Sequence, residues 1–434
     1  MTSNPARHPV PAFDLFNVFF ERIYDPTVHV VFTFSGHLDE GKLRDATMQV
    51  IAANPYLGTR FIVVDGVPVW EETQQTLWDA AFVLLDAAET DFPPAVVPDP
   101  LDVRNGPQIR VALYRKPDSD CVVVTCHHGF CDANGAFVLG KEVFAAYRGV
   151  CNDTGYVHPE TGLYDRTTAR LLSLYTEEEK RAAIAEEEPF IDRWRFPVVS
   201  AGRGVPKAAY RRLRGDRLSR IKAFGKRFDA TVNDLLLGAF FLAFLAIRDD
   251  PADRGAPRGI LTSADMRKFL PGDGDTPPAN LSVAFELTLS VDEGATLEDI
   301  LPTVVAFTRR RKEGGLGPGC IHFYEEIMAG GMDSVEGFFD GMIKRYQESG
   351  QKNPVFANLG VIDCDAYLPV PGRDGSSPDL RDVWFIPCVC WPYGFLVTAY
   401  TVLEEVTLMT AYEEGPYSTE TVERFLEYMD GYLP

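Results

Sequence analysis

Two adjacent histidines at the end of an apolar run are the residues of this chain best suited to chemistry. The run reads Val122-Val-Val-Thr-Cys-His127-His128-Gly-Phe-Cys-Asp132-Ala-Asn-Gly135, and histidine is otherwise scarce, with seven in 434 residues. A neutral imidazole held at a strand end can take a proton and return it near neutral pH. Neighbours on an extended segment point to opposite faces, so only one of the pair can address a given cleft. The other must be packed or hydrogen-bonded elsewhere. Asp132 stands where it can order the turn or pair with a distant cation. The plainer reading, in which both histidines only cap and pack a strand-to-helix turn, has equal standing on local chemistry alone.

Other patterns in the chain are weaker. Gly36-His-Leu-Asp-Glu-Gly41-Lys42-Leu43 comes close to a phosphate-binding loop, but Leu43 stands where a magnesium-holding Ser or Thr is required. Cys126, His127, His128, Cys131 and Asp132 contain metal-ligand types, yet alternate strand residues diverge and no second Cys/His cluster stands nearby in sequence. No metal is expected. There is no Gly-x-Ser-x-Gly elbow for a serine hydrolase. Arg309-Arg310-Arg311-Lys312 and the basic residues between Arg211 and Arg227 are local positive patches able to meet a phosphate, and each is read first as a solvated helix face.

Positioning these residues falls to a mixed set of strands and helices. Strands are expected at 29–34, 108–114 and 121–125, with a hairpin of 61–64 and 67–71 turning at Asp65-Gly66. Helices are expected at 42–53 and 135–147, with a charged helix opening at Thr176 on a capping-box pattern. Periodicity is lost over 186–207, which makes that stretch the candidate crossing between two halves. Beyond it come a basic helix at 217–228, an apolar helix at 232–248 capped by Thr231, and strands at 259–263 and 281–289. A Pro/Gly/Asp loop is expected at 270–278, a strand-rich section at 383–412, and a short helix from Ser418.

Composition narrows the class. The formal charge of −21 and pI near 4.8 argue against broad nucleic-acid binding, which needs concentrated positive surface. Hydrophobic residues make up 46% of the chain, enough for sizeable cores. The apolar run 235–247 is too short to span a bilayer, and 383–403 is interrupted by Pro387, Pro392 and Gly394, so no membrane span is expected. The first residues lack the apolar core of a secretory signal, and the eight cysteines are scattered rather than patterned. A cytoplasmic protein with reduced thiols is expected.

His127-His128-Gly-Phe-Cys-Asp132 resembles the HHxxxDG signature of the CoA-dependent acyltransferase superfamily, which includes chloramphenicol acetyltransferase, peptide-synthetase condensation domains and alcohol acetyltransferase-like proteins. Further resemblances follow in family order. They are Asn54-Pro-Tyr-Leu after the first helix, Gly106-Pro-Gln-Ile-Arg before the motif, and Asp229-Ala-Thr-Val-Asn-Asp in the second half. Asp265-Met-Arg267-Lys with Asn280-Leu-Ser, and Phe356-Ala-Asn358-Leu-Gly360, complete the series. Ala133 stands where the family usually has Gly.

The resemblance implies an α/β fold of two chloramphenicol-acetyltransferase-like mixed-sheet subdomains, a pseudo-dimer around a central tunnel. The halves would be 1–190 and 205–434, joined by a linker at 191–204. It also implies roles. His128 would be general base, Asp132 would fix the loop through an ion pair with Arg267, Asn280 would lie near the tunnel, and His127 would support. For Asn280 and Asn358, satisfying strand or turn backbone is an equal alternative.

The implied reaction moves an acyl group from a thioester, acyl-CoA in the first reading, to a hydroxyl or amine of a small molecule. No permanently bound cofactor is needed, and the thioester is a co-substrate. Two alternatives stand beside it: a condensation-type enzyme using an acyl group on the phosphopantetheine of a carrier protein, and a catalytically silent binding protein of the same fold.

Overall fold

The strand Asp120–His127 buries all of its side chains. A strand of that kind must be central and covered on both faces. It runs antiparallel to Thr27–Phe34 on one side and to Arg110–Arg115 on the other. Phe82–Asp86 closes one edge of this five-stranded sheet and Leu380–Ile386 the other. The computed structural model describes residues 5–86, 96–153, 155–186, 190–270, 276–313 and 317–434.

A second, eight-stranded sheet carries Ser282–Ser290, Pro257–Asp265, Val355–Val361, Leu396–Val402, Glu405–Glu414, Val389–Cys390 and Tyr24–Asp25 in that order. Val205–Leu213 pairs antiparallel with Glu405–Glu414. The irregular stretch expected over 186–207 therefore ends at residue 204. Pro206 is tolerated in the strand because Val205–Leu213 has a partner on one side only. A small sheet of Arg7–Pro9, Val67–Glu72 and Thr59–Val64 stands apart, with the hairpin turning at Asp65 and Gly66, both at positive φ.

The two large sheets exchange strands. Tyr24–Asp25 belongs to the eight-stranded sheet, and two residues later Thr27 enters the five-stranded one. Conversely, Leu380–Ile386 lies in the five-stranded sheet before the chain continues into Val389–Cys390 of the other. Pro26 thus marks a point where the chain passes between sheets.

Helices cover the sheets. Glu40–Ala53 and Ala133–Asn152 pack on the first, and Val232–Arg248, Leu297–Glu313 and Thr419–Tyr432 pack with the second. Val232–Arg248 starts on a reciprocal cap, with Thr231 bonded to the Asp234 N–H and the Asp234 carboxylate bonded to Thr231. Each large sheet has its own apolar core, one around Val30, Val124 and Phe144, the other around Leu237, Phe240 and Val397. A third, smaller cluster joins Phe13, Met266, Leu281 and Ile321. Part of the loop expected at 270–278 (residues 271–275) and residues 187–189 of the crossing segment lie outside the described residues. Among the described residues no helix is long and apolar enough to cross a membrane.

Candidate active site

The strand Asp120–His127 ends where the chain passes between the two sheets. The His128 N–H donates to the Pro26 carbonyl at 2.8 Å, so the motif turn hangs from the residue that links them. The turn then enters the helix Ala133–Asn152, whose N-cap is Asp132.

The two histidines have different surroundings. His127 is 3% exposed, and its Nδ1 accepts the Gly129 N–H at 2.9 Å. Burial, then the neighbouring charges of His128 and Arg104, push its pKa down to about 3. His127 is therefore a neutral ring committed to the turn. His128 is only half-buried by exposed surface, yet enough protein surrounds it for desolvation to lower its pKa. Asp132, its own backbone and Asn280 act in the opposite direction. Its Nδ1 is buried without a hydrogen-bond partner, and among the described residues no hydrogen bond reaches Nε2. A neutral imidazole with an unpartnered nitrogen is the form a general base requires.

Asp132 is 1% exposed and saturated with donors. Oδ1 accepts the Gly135 N–H at 2.9 Å. Oδ2 accepts from Arg267 Nη1 at 2.8 Å, from the Leu281 N–H at 2.8 Å and from Ser282 Oγ at 3.1 Å. Burial works to raise its pKa, but the Arg267 charge and these hydrogen bonds prevail and hold it below the usual carboxylate value. Arg267 also bonds Asp265 at 3.1 Å and the Ala279 carbonyl at 2.7 Å. Asp132 thus ties the first sheet's turn to the strand Ser282–Ser290 of the second.

Ala133 occupies the first helical position, with no left-handed backbone. The close approach in this turn falls at Gly135, where an added Cβ would lie 2.6 Å from the Cys131 Cβ and 3.3 Å from the Ala279 nitrogen.

Asn280 is 2% exposed, and its Nδ2 donates to Asp14 Oδ1 at 2.9 Å. Asp14, fully buried on the helix Ala12–Phe19, and Arg166 form a second aspartate–arginine pair at 2.8 Å. Burial raises the Asp14 pKa against the opposing pull of Arg166, while the pair keeps Arg166 firmly protonated. Arg166 also donates to the Pro278 carbonyl at 2.8 Å and to the Phe130 carbonyl inside the motif turn. Residues 278–281 are therefore gripped from both sides, by Arg166 and Asp14 on one and by Arg267 and Asp132 on the other. Sequence reasoning did not single out Asp14 or Arg166. The available signal was a lone carboxylate in the apolar stretch Ala-Phe-Asp-Leu-Phe; nothing marked Arg166.

The remaining candidates lie elsewhere. Asn358 bonds Asn233 at 3.2 Å and the Gly360 N–H at 3.0 Å, beside a small surface cavity of about 100 Å³. Arg309 pairs with Asp229 at 2.7 Å, and Arg310 lies over Phe307. Arg211 and Arg217 pair with Asp430, and Arg212 with Asp382. Among the described residues no group of three or more His, Cys, Asp or Glu side chains is placed to hold a metal ion.

No family model and no curated protein matches the sequence. Solved structures match along the whole chain. Trichothecene 15-O-acetyltransferase from Fusarium sporotrichioides is 13% identical with a TM-score of 0.68, covering 100% of this chain and 95% of its own. Polyketide synthase associated protein 5 from Mycobacterium tuberculosis is 16% identical with a TM-score of 0.65, covering 98% of each chain. The first condensation domain of the CDA synthetase is 13% identical with a TM-score of 0.65, covering 99% of this chain and 96% of its own. The chain has the mixed-sheet, chloramphenicol-acetyltransferase-like fold that these proteins share.

Proposed function

We propose that a chain of this fold with His128 in this setting is an acyltransferase, moving an acyl group from a thioester to a hydroxyl or amine of a small molecule. The carrying observation is the His128 ring: neutral, held at the junction of the two sheets, and open at Nε2 among the described residues. The names of the structural neighbours, an acetyltransferase and a condensation domain among them, support acyl transfer as the class. Fold alone does not decide function, so the weight rests on the site.

In the proposed reaction, Nε2 of His128 takes the proton of the acceptor hydroxyl or amine as its oxygen or nitrogen attacks the thioester carbonyl. The tetrahedral intermediate collapses with cleavage of the carbon–sulfur bond. The same nitrogen then returns the proton to the departing thiolate, giving free thiol and the acylated acceptor. No covalent enzyme intermediate is involved. Asp132 and Arg267 would hold the turn, and Asn280 would help position the reacting groups. Residues 1–190 would supply the motif and 205–434 would supply Arg267 and Asn280, with 191–204 joining them.

Acyl-CoA is the first donor to test, because it needs no partner protein. Thiol release is followed with a panel of acyl-CoAs and mixed alcohol and amine acceptors, comparing the unaltered protein with His128→Ala. Acceptor-dependent release that disappears in the variant is the expected result. No release above the variant directs the same assay to a donor on a carrier protein, and silence there too overturns the proposal in favour of a binding protein.

A further inference from the structure

We propose that Arg166 is a positioning residue for the turn that presents His128, gripping the turn's last residue, Phe130, by its carbonyl and by its ring. This rests on the reading of His128 as general base and adds the group that sets where that residue stands. Residues 127–130 form a β-turn, with the Phe130 N–H bonded to the His127 carbonyl at 2.8 Å. His128 and Gly129 are its two central residues, so the direction of the His128 side chain follows from how the two ends are held. The first end is fixed by the strand, where His127 pairs with Thr27. The second end lies beyond the strand. Its carbonyl accepts from Arg166 Nη2, the one donor to it among the described residues, and its ring centroid lies 4.4 Å from the guanidinium carbon.

Arg166 is 3% exposed, and all five of its N–H donors are engaged. Nε and Nη2 meet Asp14 Oδ2 at 3.0 and 2.8 Å, and the second Nη2 proton goes to Phe130. Nη1 donates to the Pro278 carbonyl at 2.8 Å and to Tyr164 Oη at 3.2 Å. Asp14 thus aims the guanidinium, and the planar fork joins the motif turn to the segment that leads into the strand Ser282–Ser290. Asp132 and Arg267 do the corresponding work one step later along the chain. Arg267 fixes where the helix Ala133–Asn152 begins, and Arg166 fixes the turn in which His128 stands. A lysine could keep the charge opposite Asp14. Its three donors radiate from one point, however, and cannot reach Asp14, Phe130 and Pro278 together as the fork does.

Position and stability can be separated by two variants. Arg166→Lys keeps a cation against Asp14 and loses the fork. Arg166→Met combined with Asp14→Asn removes the grip without leaving a buried charge behind. Both should lower kcat, on the order of tenfold for the lysine and 10²-fold for the double variant, with KM little changed. Position is also read without substrate, by NMR titration of ring-labelled histidine, with His128 assigned by comparison with His128→Gln. In the unaltered protein, desolvation holds the His128 pKa below 6.5. With the turn released in either variant it should rise toward 6.5, while His127, held by the strand, should stay at about 3. Should one variant fail to fold, the other decides. If neither folds, Arg166 is a fixture of the core and the proposal falls. Folded variants with unchanged kcat, or with an unmoved His128 pKa, overturn it whatever their melting temperatures. An inactive unaltered protein in which Arg166→Lys still moves the His128 pKa would sink only the acyltransferase reading.

Discussion

His127 and His128 are adjacent, yet the fold treats them in opposite ways. His127 closes the strand, pairs across to Thr27, and is almost fully buried. Its Nδ1 is taken by Gly129, and the turn is so tight that a Cβ at Gly129 would stand 2.8 Å from that nitrogen and 2.5 Å from Val18. His128 starts the turn, keeps part of its surface, and has no hydrogen bond at Nε2 among the described residues. Desolvation lowers both pKa values. What separates them is that His127 has given Nδ1 to the turn and is almost fully buried, whereas His128 keeps part of its surface and gives neither ring nitrogen to a hydrogen bond among the described residues.

The sharpest way to break that contrast is to remove the anchor both rings hang from. Arg267→Met leaves Asp132 buried with its charge uncompensated, and breaking a buried pair in this way costs about 3–5 kcal/mol. The denaturant midpoint should fall accordingly, with thiol release falling too. A midpoint unchanged within error would show that the turn does not depend on the pair.

Exchanging the lesion between the two histidines comes next. His128→Ala should lower kcat/KM on the order of 10³-fold, about 4 kcal/mol of transition-state stabilisation, with little change in the melting temperature. His127→Ala should do the converse in stability, losing about 1–3 kcal/mol because the buried Gly129 N–H is left without an acceptor. If His128→Ala melted early and His127→Ala did not, the assignment of tool and fixture would be reversed.

The motif strand, the strand-to-helix turn and the apolar helix after Thr231 were legible in the sequence because each is local. An apolar run, a cap and a period declare themselves within a few residues. Other features were not. The exchange that puts Leu380–Ile386 beside Thr27–Phe34 joins segments some 350 positions apart, and no periodicity encodes a partner. The helices Pro318–Ala329 and Met332–Ser349 meet at Gly330-Gly331, and Leu297–Glu313 contains Pro302, so breakers obscured their helical period. Arg166 sits in a stretch without period, and only folding brings it within 2.8 Å of Asp14. Asp132 and Arg267, 2.8 Å apart, were linked in the sequence by resemblance alone.

Acid titration tests the closed half of the contrast. His29, bonded to Thr125 at 2.9 Å, shares the fate of His127, with burial pushing each pKa to about 3. In the unfolded chain both return to about 6.5 and take up protons first. Their stabilising contribution is therefore complete above pH 6.5 and is lost as pH falls toward 3, at up to about 1.4 kcal/mol per pH unit for each ring. Denaturation midpoints at pH 7, 6, 5 and 4 should decline steeply, and His29→Gln should flatten the slope by one ring's share. An unchanged slope in that variant would show that His29 is not held neutral.

The smallest effect concerns the residue after Asp132. Ala133 replaces the glycine usual at this point of the resembling motif, which raises the question of whether the turn is compromised and His128 displaced with it. The geometry answers locally. Ala133 is in the first turn of a helix, its backbone is not left-handed, and the tight contact with Cys131 and Ala279 is met by Gly135. Glycine at position 133 would relieve no strain there and would add conformational freedom to the unfolded chain. Ala133→Gly should therefore cost about 0.5–1 kcal/mol of stability and leave thiol release unchanged. A variant that gained activity would mean that the alanine holds the turn away from its working position, and that the open nitrogen of His128 is not yet where the chemistry needs it.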